Sequence, residues 1–488
     1  MNEIQSLQPA CIWRNFYSLT QVPRPSGHLE RIQQFLLDFG KQAGVYAVKD
    51  PAGNIHMRKP ATPGMENRKG IILQAHMDMV PQKNNDKKHD FTKDPIETRI
   101  VHQDDGDWVY ACGTTLGADD GLGVAAAMSV LESETIKHGP LEALFTVDEE
   151  TRMVGAKALK PGILKGDILL NLDSETEGEL YVGCAGGIDA NISFKYKEEP
   201  MPKGFKALKI VVTGLRGGHS GMEINEGRGN ANKVMARLLL PILRDNKGKL
   251  ASFNGGNMRN AIPREAEAVV AVPAEKVEAV KAGVEKTAAT VKAELAPIDP
   301  GLVITVEGIR CGKVIAGNTG LKLVKALYAC PNAVDRMSLE VEGLVETSNN
   351  LAIVHTDKGV INVNTLLRGS TDTLKMDLAE SVRAAFELAG AKVWFDGAYS
   401  GWSPNMASPI LHTMKDQYKK LFGKEPAVMA IHAGLECGIL AGAYPNWDMI
   451  SCGPTLKSPH SPDERCYVPS VAKWWQFIQA VIEDAPKK

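Results

Sequence analysis

The chain has 488 residues, of which 44% are hydrophobic and 23% charged, an ordinary globular composition with room for more than one domain. Its 56 Lys and Arg against 58 Asp and Glu leave a formal net charge of −2, so no basic excess points to nucleic acid or to an anionic membrane. No run of about 18 apolar residues marks a membrane span, and the N-terminal MNEIQSLQPACIWRNF lacks the basic flank and apolar core of a secretory signal. The eight cysteines (Cys11, Cys112, Cys184, Cys311, Cys330, Cys437, Cys452 and Cys466) are scattered with no C-x-x-C pair, which reads as free thiols in a reducing cytoplasm. A metal site in such a chain must draw on histidines and carboxylates.

In chain order, residues 11–45 predict a helix broken at VPRPSG. Residues 71–80 and 141–148 predict strands buried on both faces. Between them, DDGLGVAAAMSVLES (119–133) predicts a helix whose small residues allow close contact with a sheet. A further strand is expected in 167–175. Strands alternating with helices indicate an α/β layer with a mixed, mostly parallel sheet flanked by helices. The pattern changes near CAGGID (184–189): strand 206–214, helix 228–243, strand 265–272 and helix 275–295 follow. A second pass runs through strand 302–308, helix 320–330, a hairpin across TDKG (356–359) and helix 371–389. Both passes read as β-α-β-β-α, a duplicated module inserted as an α+β domain over 187–393. The first domain is then 1–186 plus 394–488.

Five positions at expected strand ends or loops have the character of metal ligands: His76 in QAHMDM, Asp119 in LGADDGLG, Glu150 in FTVDEET, Asp173 in LLNLDSE and His460 in KSPHSPDE. Imidazole and carboxylate donors suit Zn²⁺, Mn²⁺ or Co²⁺. In an open α/β sheet, the loops beyond the carboxyl ends of the strands converge on one crevice, so residues far apart in sequence can meet. Two histidines and three carboxylates exceed one tetrahedral ion but match two ions sharing Asp119, a pair able to polarise a carbonyl and acidify a shared water.

Side chains two apart on a strand point the same way, so Asp78 lies beside His76, where a carboxylate fixes the imidazole's tautomer. Glu149 and Glu150 form a pair at a strand end, one to bind metal and one to carry a proton. Taken singly, Asp119 reads as a helix N-cap, the Glu pair as exposed acids, and His219 and His460 as loop residues. Together these readings leave unexplained why the polar exceptions follow apolar strands. His432 and Glu436 in HAGLE do not match H-E-x-x-H, and the glycine between them argues against a zinc helix. The lysine-rich stretch 83–88 reads as a solvated loop.

Six segments in order, HMDMVP (76–81), TTLGADDGLG (114–123), TVDEETRMVGA (146–156), NLDSE (171–175), GGHSGMEI (217–224) and SPHSPDE (458–464), resemble the M20 dinuclear metallopeptidases, and within them the aminoacyl-histidine dipeptidases, along essentially the whole chain. The resemblance implies a catalytic domain split by an inserted lid domain. It implies two divalent ions, zinc first with cobalt or manganese as alternatives, held by His76, Asp119, Glu150, Asp173 and His460 with Asp119 bridging and the bond after it cis. It further implies Asp78 as the orienting carboxylate and Glu149 as the general base and acid. His219 would stabilise the oxyanion, Asn260 and Gly434 would line the substrate, and Arg368 would pair with its terminal carboxylate. The expected substrate is a dipeptide of the Xaa-His type such as β-alanyl-histidine, with broad specificity, in a cytoplasmic protein, with a homodimer as the expected assembly and no nucleic-acid or membrane partner. Rival readings are a tripeptidase, an N-acyl-amino-acid deacylase or a carboxypeptidase of the same superfamily, and a metal-stabilised binding protein without activity.

Overall fold

The apolar run after Gly70 forms the strand Ile71–His76, every residue of which is buried. It is the centre of the first of two units in the computed structural model, which describes residues 3–84 and 86–488; Asn85, within the lysine-rich stretch, lies outside the described residues. The first unit comprises Met1–Gly183, Pro404–Ala430 and Leu435–Lys488, and the second Cys184–Ser403 and Ile431–Gly434.

Among the described residues the first unit's main sheet has eight strands. Their order is Tyr46–Lys49, Ile55–Lys59, Leu141–Thr146, Ile71–His76, Ile168–Asn171, Asp448–Ser451, Glu179–Cys184 and Ala427–Ile431. The middle four are parallel, and antiparallel strands adjoin them on both sides. Register aligns the carboxyl ends: His76 is opposite Thr146, and Gln74 is opposite Asn171. Alternation then sorts the side chains. Ile71, Leu73 and Ala75 share a core with helices Ala10–Thr20, Ala118–Glu132, Pro409–Phe422 and Val468–Glu483. Gln74 and His76 take the opposite face. The helix break at VPRPSG is real, since one helix stops at Thr20 and the next begins at Glu30, with Pro23 and Pro25 between them unable to continue a helical ladder. Helix Ala118–Glu132 is buried along nearly its whole length, which its Gly and Ala residues permit.

The second unit's principal sheet has two halves with one plan. The first runs strand Phe205–Thr213, helix Ala231–Asp245, strands Lys249–Gly255 and Ala266–Pro273, helix Val277–Leu295 and strand Val303–Ile309. The second runs strand Gly186–Lys195, helix Thr319–Ala329, strands Val345–Asp357 and Val360–Gly369, helix Asp372–Glu387 and strand Lys392–Tyr399. In each half the sheet order, from its outer edge inward, is fourth, first, third, second, and the halves join through their second strands.

This arrangement differs from the sequence reading in two respects. Strand Val303–Ile309 does not open the second pass. It pairs with Phe205–Thr213 and closes the first half, while the second half opens at Gly186–Lys195, so one half is inserted after the first strand of the other. The tail also leaves the unit later than residue 394, because Lys392–Tyr399 pairs with Gly186–Lys195.

Leu73 is fully buried on the central strand. Leu73→Ala is expected to destabilise the first unit by about 2–5 kcal/mol, read as a lowered urea midpoint; an unchanged midpoint would contradict its place in the core.

Candidate metal centre

Asp119 stands where helix Ala118–Glu132 has not yet begun to wind: its φ of −81° and ψ of 111° are extended, and the Asp119–Asp120 peptide is cis. Its two oxygens face different histidines. Oδ1 lies 3.0 Å from His76 Nε2, and Oδ2 lies 3.2 Å from His460 Nε2. His76 Nε2 is also 3.4 Å from Asp173 Oδ1, and His460 Nε2 is 3.0 Å from Glu150 Oε2. Two triads, His76–Asp119–Asp173 and His460–Asp119–Glu150, therefore share one carboxylate. They are contiguous, since single donor atoms of His76, Asp119 and Glu150 lie within 4.8 Å of one another.

The donors come from strand ends and loops. His76 ends its strand, Asp173 follows strand Ile168–Asn171, and Glu149 and Glu150 begin the one-turn helix Glu149–Arg152 after strand Leu141–Thr146. His460 lies in the loop between strands Leu456–Lys457 and Arg465–Tyr467. Donor atoms around one tetrahedral zinc, with bonds of about 2.0–2.1 Å, are separated by about 3.3–3.4 Å; the observed spacings of 3.0–3.4 Å reach that separation or fall within about 0.4 Å below it, so the donors need to part only slightly to hold an ion. Asp78 is fully buried and binds three elements together. Its Oδ1 is 3.5 Å from His76 Nδ1 and accepts from Glu149 N at 3.1 Å; its Oδ2 accepts from Ser26 Oγ at 2.7 Å and Glu150 N at 3.4 Å.

The electrostatics also favour a cation. Burial opposes the charge on Asp119, yet hydrogen bonds from His460 and His76 hold its carboxyl well below the usual range. Burial works against a charged His76, but Asp173, Asp119 and Asp78 raise it well above an ordinary imidazole. Hydrogen bonds to Asp119 and Glu150 push His460 up to about 11. Glu149 is pushed up to about 8 by burial, with Glu436, Glu150 and Asp119 adding to the rise and His76 opposing it. Protons on these groups stand in for positive charge.

The remaining sequence-predicted residues, His219, Asn260, Arg368 and Gly434, belong to the second unit. His219 Nδ1 accepts from the backbone N–H of Met222 at 3.0 Å and of Gly221 at 3.3 Å. That assigns the ring hydrogen to Nε2, while burial and Arg368 lower its pKa to about 4. Arg368 is buried, donating from Nη1 to Tyr399 OH at 3.1 Å and from Nη2 to Ser220 Oγ at 3.3 Å; its Nη2 lies 3.4 Å from His219 Nε2. Asn260 has an exposed side chain, and its carbonyl accepts from Ser220 N at 2.9 Å. Gly434 is half-buried in the segment Ile431–Gly434. His432 Nε2 is 2.7 Å from the buried Ser348 hydroxyl.

Sequence reasoning passed over a polar layer directly behind the ligands. Gln74 donates to Glu436 Oε2 at 2.6 Å, Thr146 donates to the same oxygen at 2.7 Å, and Asn171 donates to Gln74 Oε1 at 2.5 Å. Gln74 precedes His76 by two residues on the same face of its strand, and Asn171 ends its strand two residues before Asp173. A polar residue two back from His76 and from Asp173 was the available signal. Arg24 and Glu464, both buried, were also given no role.

The sequence matches the model of peptidase family M20/M25/M40 over residues 72–484. It is 44% identical to the cytosol non-specific dipeptidase of Escherichia coli (strain K12), with 100% of each chain covered. The crystal structure of aminoacylhistidine dipeptidase from Vibrio alginolyticus is similar with a TM-score of 0.94 and 45% identity, covering 100% of this chain and 99% of the other. The aminopeptidase PepT structure from Bacillus cereus shares the fold, with a TM-score of 0.57 at 17% identity over 98% of this chain and 99% of the other.

A ligating imidazole must be neutral, while His76 and His460 are held protonated without a metal. Uptake of Zn²⁺ at pH 7 is therefore expected to release protons, and affinity to rise with pH. Calorimetry in buffers of different ionisation enthalpy measures this; zero proton release would contradict it.

Proposed function

We infer, from the premise that the chain belongs to peptidase family M20/M25/M40, that the protein is a metal-dependent dipeptidase hydrolysing the peptide bond of small peptides. The observation that carries the reading is Asp119 dividing its two oxygens between two histidine–carboxylate triads, beside a half-buried glutamate, Glu149, that belongs to neither. The two full-length relatives, a cytosol non-specific dipeptidase and an aminoacylhistidine dipeptidase, support dipeptides, including Xaa-His, as the substrate class and the cytosol as the location.

His76, Asp119 and Asp173 would hold one divalent ion, and Asp119, Glu150 and His460 a second; zinc suits the donor set, as cobalt and manganese do. When bound, such ions supply Lewis acidity at the substrate carbonyl and lower the pKa of water. Asp78 keeps His76 oriented and, through the backbone N–H of Glu149, sets where the base stands. Glu149 takes a proton from the attacking water on its carboxylate and returns it to the leaving amine. Its raised pKa in the metal-free protein falls as nearby positive charge is added, leaving it ionised and ready to accept.

His219 donates its Nε2 hydrogen to the developing oxyanion, a role fitted by a neutral ring whose Nδ1 is already occupied by backbone donors. Arg368, held by Tyr399 and Ser220, pairs with the terminal carboxylate, for which a planar guanidinium offers two parallel donors. Asn260 and the Gly434 backbone complete the substrate contacts in this reading.

Glu149→Ala is expected to keep its bound ions and lose about 10²–10⁴-fold in kcat, whereas Glu150→Ala should lose metal from one triad; equal metal loss in both would reassign the two roles. Arg368→Ala should raise KM for dipeptides. C-terminal amidation of the dipeptide should raise KM for the unmodified enzyme but make little further difference to the variant, and equal handling of both substrates by the unmodified enzyme would remove Arg368 from substrate reading.

A further inference from the structure

Glu464 follows His460 by four residues, in the loop closed by strands Leu456–Lys457 and Arg465–Tyr467. Its buried carboxylate is filled by backbone donors of the segment leading into Asp119. Oε2 accepts from Leu116 N at 2.7 Å and Gly117 N at 3.0 Å; Oε1 accepts from Ala118 N at 2.8 Å and Asp119 N at 3.3 Å. One side chain thus fastens the loop bearing His460 to the loop bearing Asp119. On the other side of the same segment, Arg24 donates to the carbonyl of Gly117, and to those of Met77 and Asp78 at 3.2 and 2.9 Å. Gly117 is therefore gripped by its N–H and its C=O at once. Its φ is +68°, and a Cβ there would lie 2.6 Å from Arg24 Nη2.

The two triads depend on this grip unequally. His76 sits at the end of a buried strand whose hydrogen-bonded neighbours fix it. His460 has a side chain 52% exposed and a φ of +60°. Apart from His460 itself, which faces Asp119 and Glu150, the other bonds of residues 458–464 are local (Glu464 N to Ser461 O, Ser461 Oγ to Ser458 O, Arg465 to Ser458 Oγ), and the strand Arg465–Tyr467 that follows pairs with Gly106–Ala111.

We propose that Glu464 is a positioning residue that sets the gap between Asp119 and His460, and through it the affinity of the second triad for its ion. This rests on the two-ion reading above. Partners standing behind metal ligands affect metal affinity by about 10–100-fold. In Glu464→Gln, one oxygen becomes an amide NH₂ whose hydrogens face two backbone donors, so half of the acceptor set is lost at nearly constant volume.

The test is calorimetric titration of the chelator-stripped full chain with ZnCl₂, repeated with CoCl₂ and followed by visible absorbance. The unmodified protein should take up two equivalents. Glu464→Gln should bind the first as before and the second at least about tenfold more weakly, with kcat recovering at excess metal and KM for a dipeptide unchanged. A second equivalent weakened by less than that, or both equivalents weakened in parallel, overturns the proposal. If circular dichroism shows Glu464→Gln unfolded, Glu464→Asp, which keeps the charge but shortens the reach, is judged by the same criterion. Uptake of a single ion by the unmodified protein overturns the two-ion reading itself, and the proposal with it; two ions with an unaltered second affinity in the variant overturns the proposal alone.

Discussion

Asp119 can serve two triads only if both of its oxygens are free of the helix that follows and each faces a histidine 3.0–3.2 Å away. Several buried groups of the first unit serve that requirement. The extended backbone at Asp119 carries the carboxylate clear of the helix start. The segment before it is bound through its N–H groups by Glu464 and through a carbonyl by Arg24. Asp120, the next residue, turns its carboxylate inward, accepting from His76 N at 3.3 Å and from Gly123 N at 3.1 Å. Successive aspartates thus differ, Asp119 facing the two histidines and Asp120 securing the strand end and the helix start.

The cost of this arrangement is a concentration of negative charge away from water. Asp78, Asp119, Asp120, Glu149, Glu150 and Asp173 lie close to one another with little solvent contact. Burial raises the pKa of Asp173 and Asp120 well above the usual carboxylate range, as it raises Glu149. The two histidines, in turn, hold on to protons. Divalent cations offset such a cluster directly, because each replaces protonated groups with charge placed between the donors. Metal binding, protonation and the local stability of the strand ends are therefore one coupled equilibrium rather than separate properties.

Much of this was legible in the sequence, for a physical reason: buried parallel strands are apolar, so a histidine or carboxylate at their carboxyl ends stands out. His76, Asp173 and the Glu149–Glu150 pair follow such runs, and the structure gathers them. Arg24 looked like no more than a residue between two helix-breaking prolines, and Glu464 like the end of a surface loop. Their partners are backbone N–H and C=O groups between 53 and 348 residues away, which carry no side-chain pattern. The second unit showed a related limit. Helices and strands emerged from periodicity, but nothing in the run 303–309 indicates which strand it pairs with. The sequence order therefore suggested two consecutive repeats, where the sheet has one half nested inside the other.

That nesting bears on how the second unit is joined to the rest of the chain. Its first long strand, Gly186–Lys195, and its last, Lys392–Tyr399, are hydrogen-bonded neighbours. Just beyond them, Cys184 and Trp402 exchange both backbone hydrogen bonds at 2.9 Å, and Ala185 N donates to the carbonyls of Ile431 and Ala433, each at 3.0 Å. Every passage of the chain into or out of this unit is thus bundled into a single root. The two ends of the 184–403 stretch are therefore held side by side by the chain's own backbone, so that this long excursion begins and ends at one place.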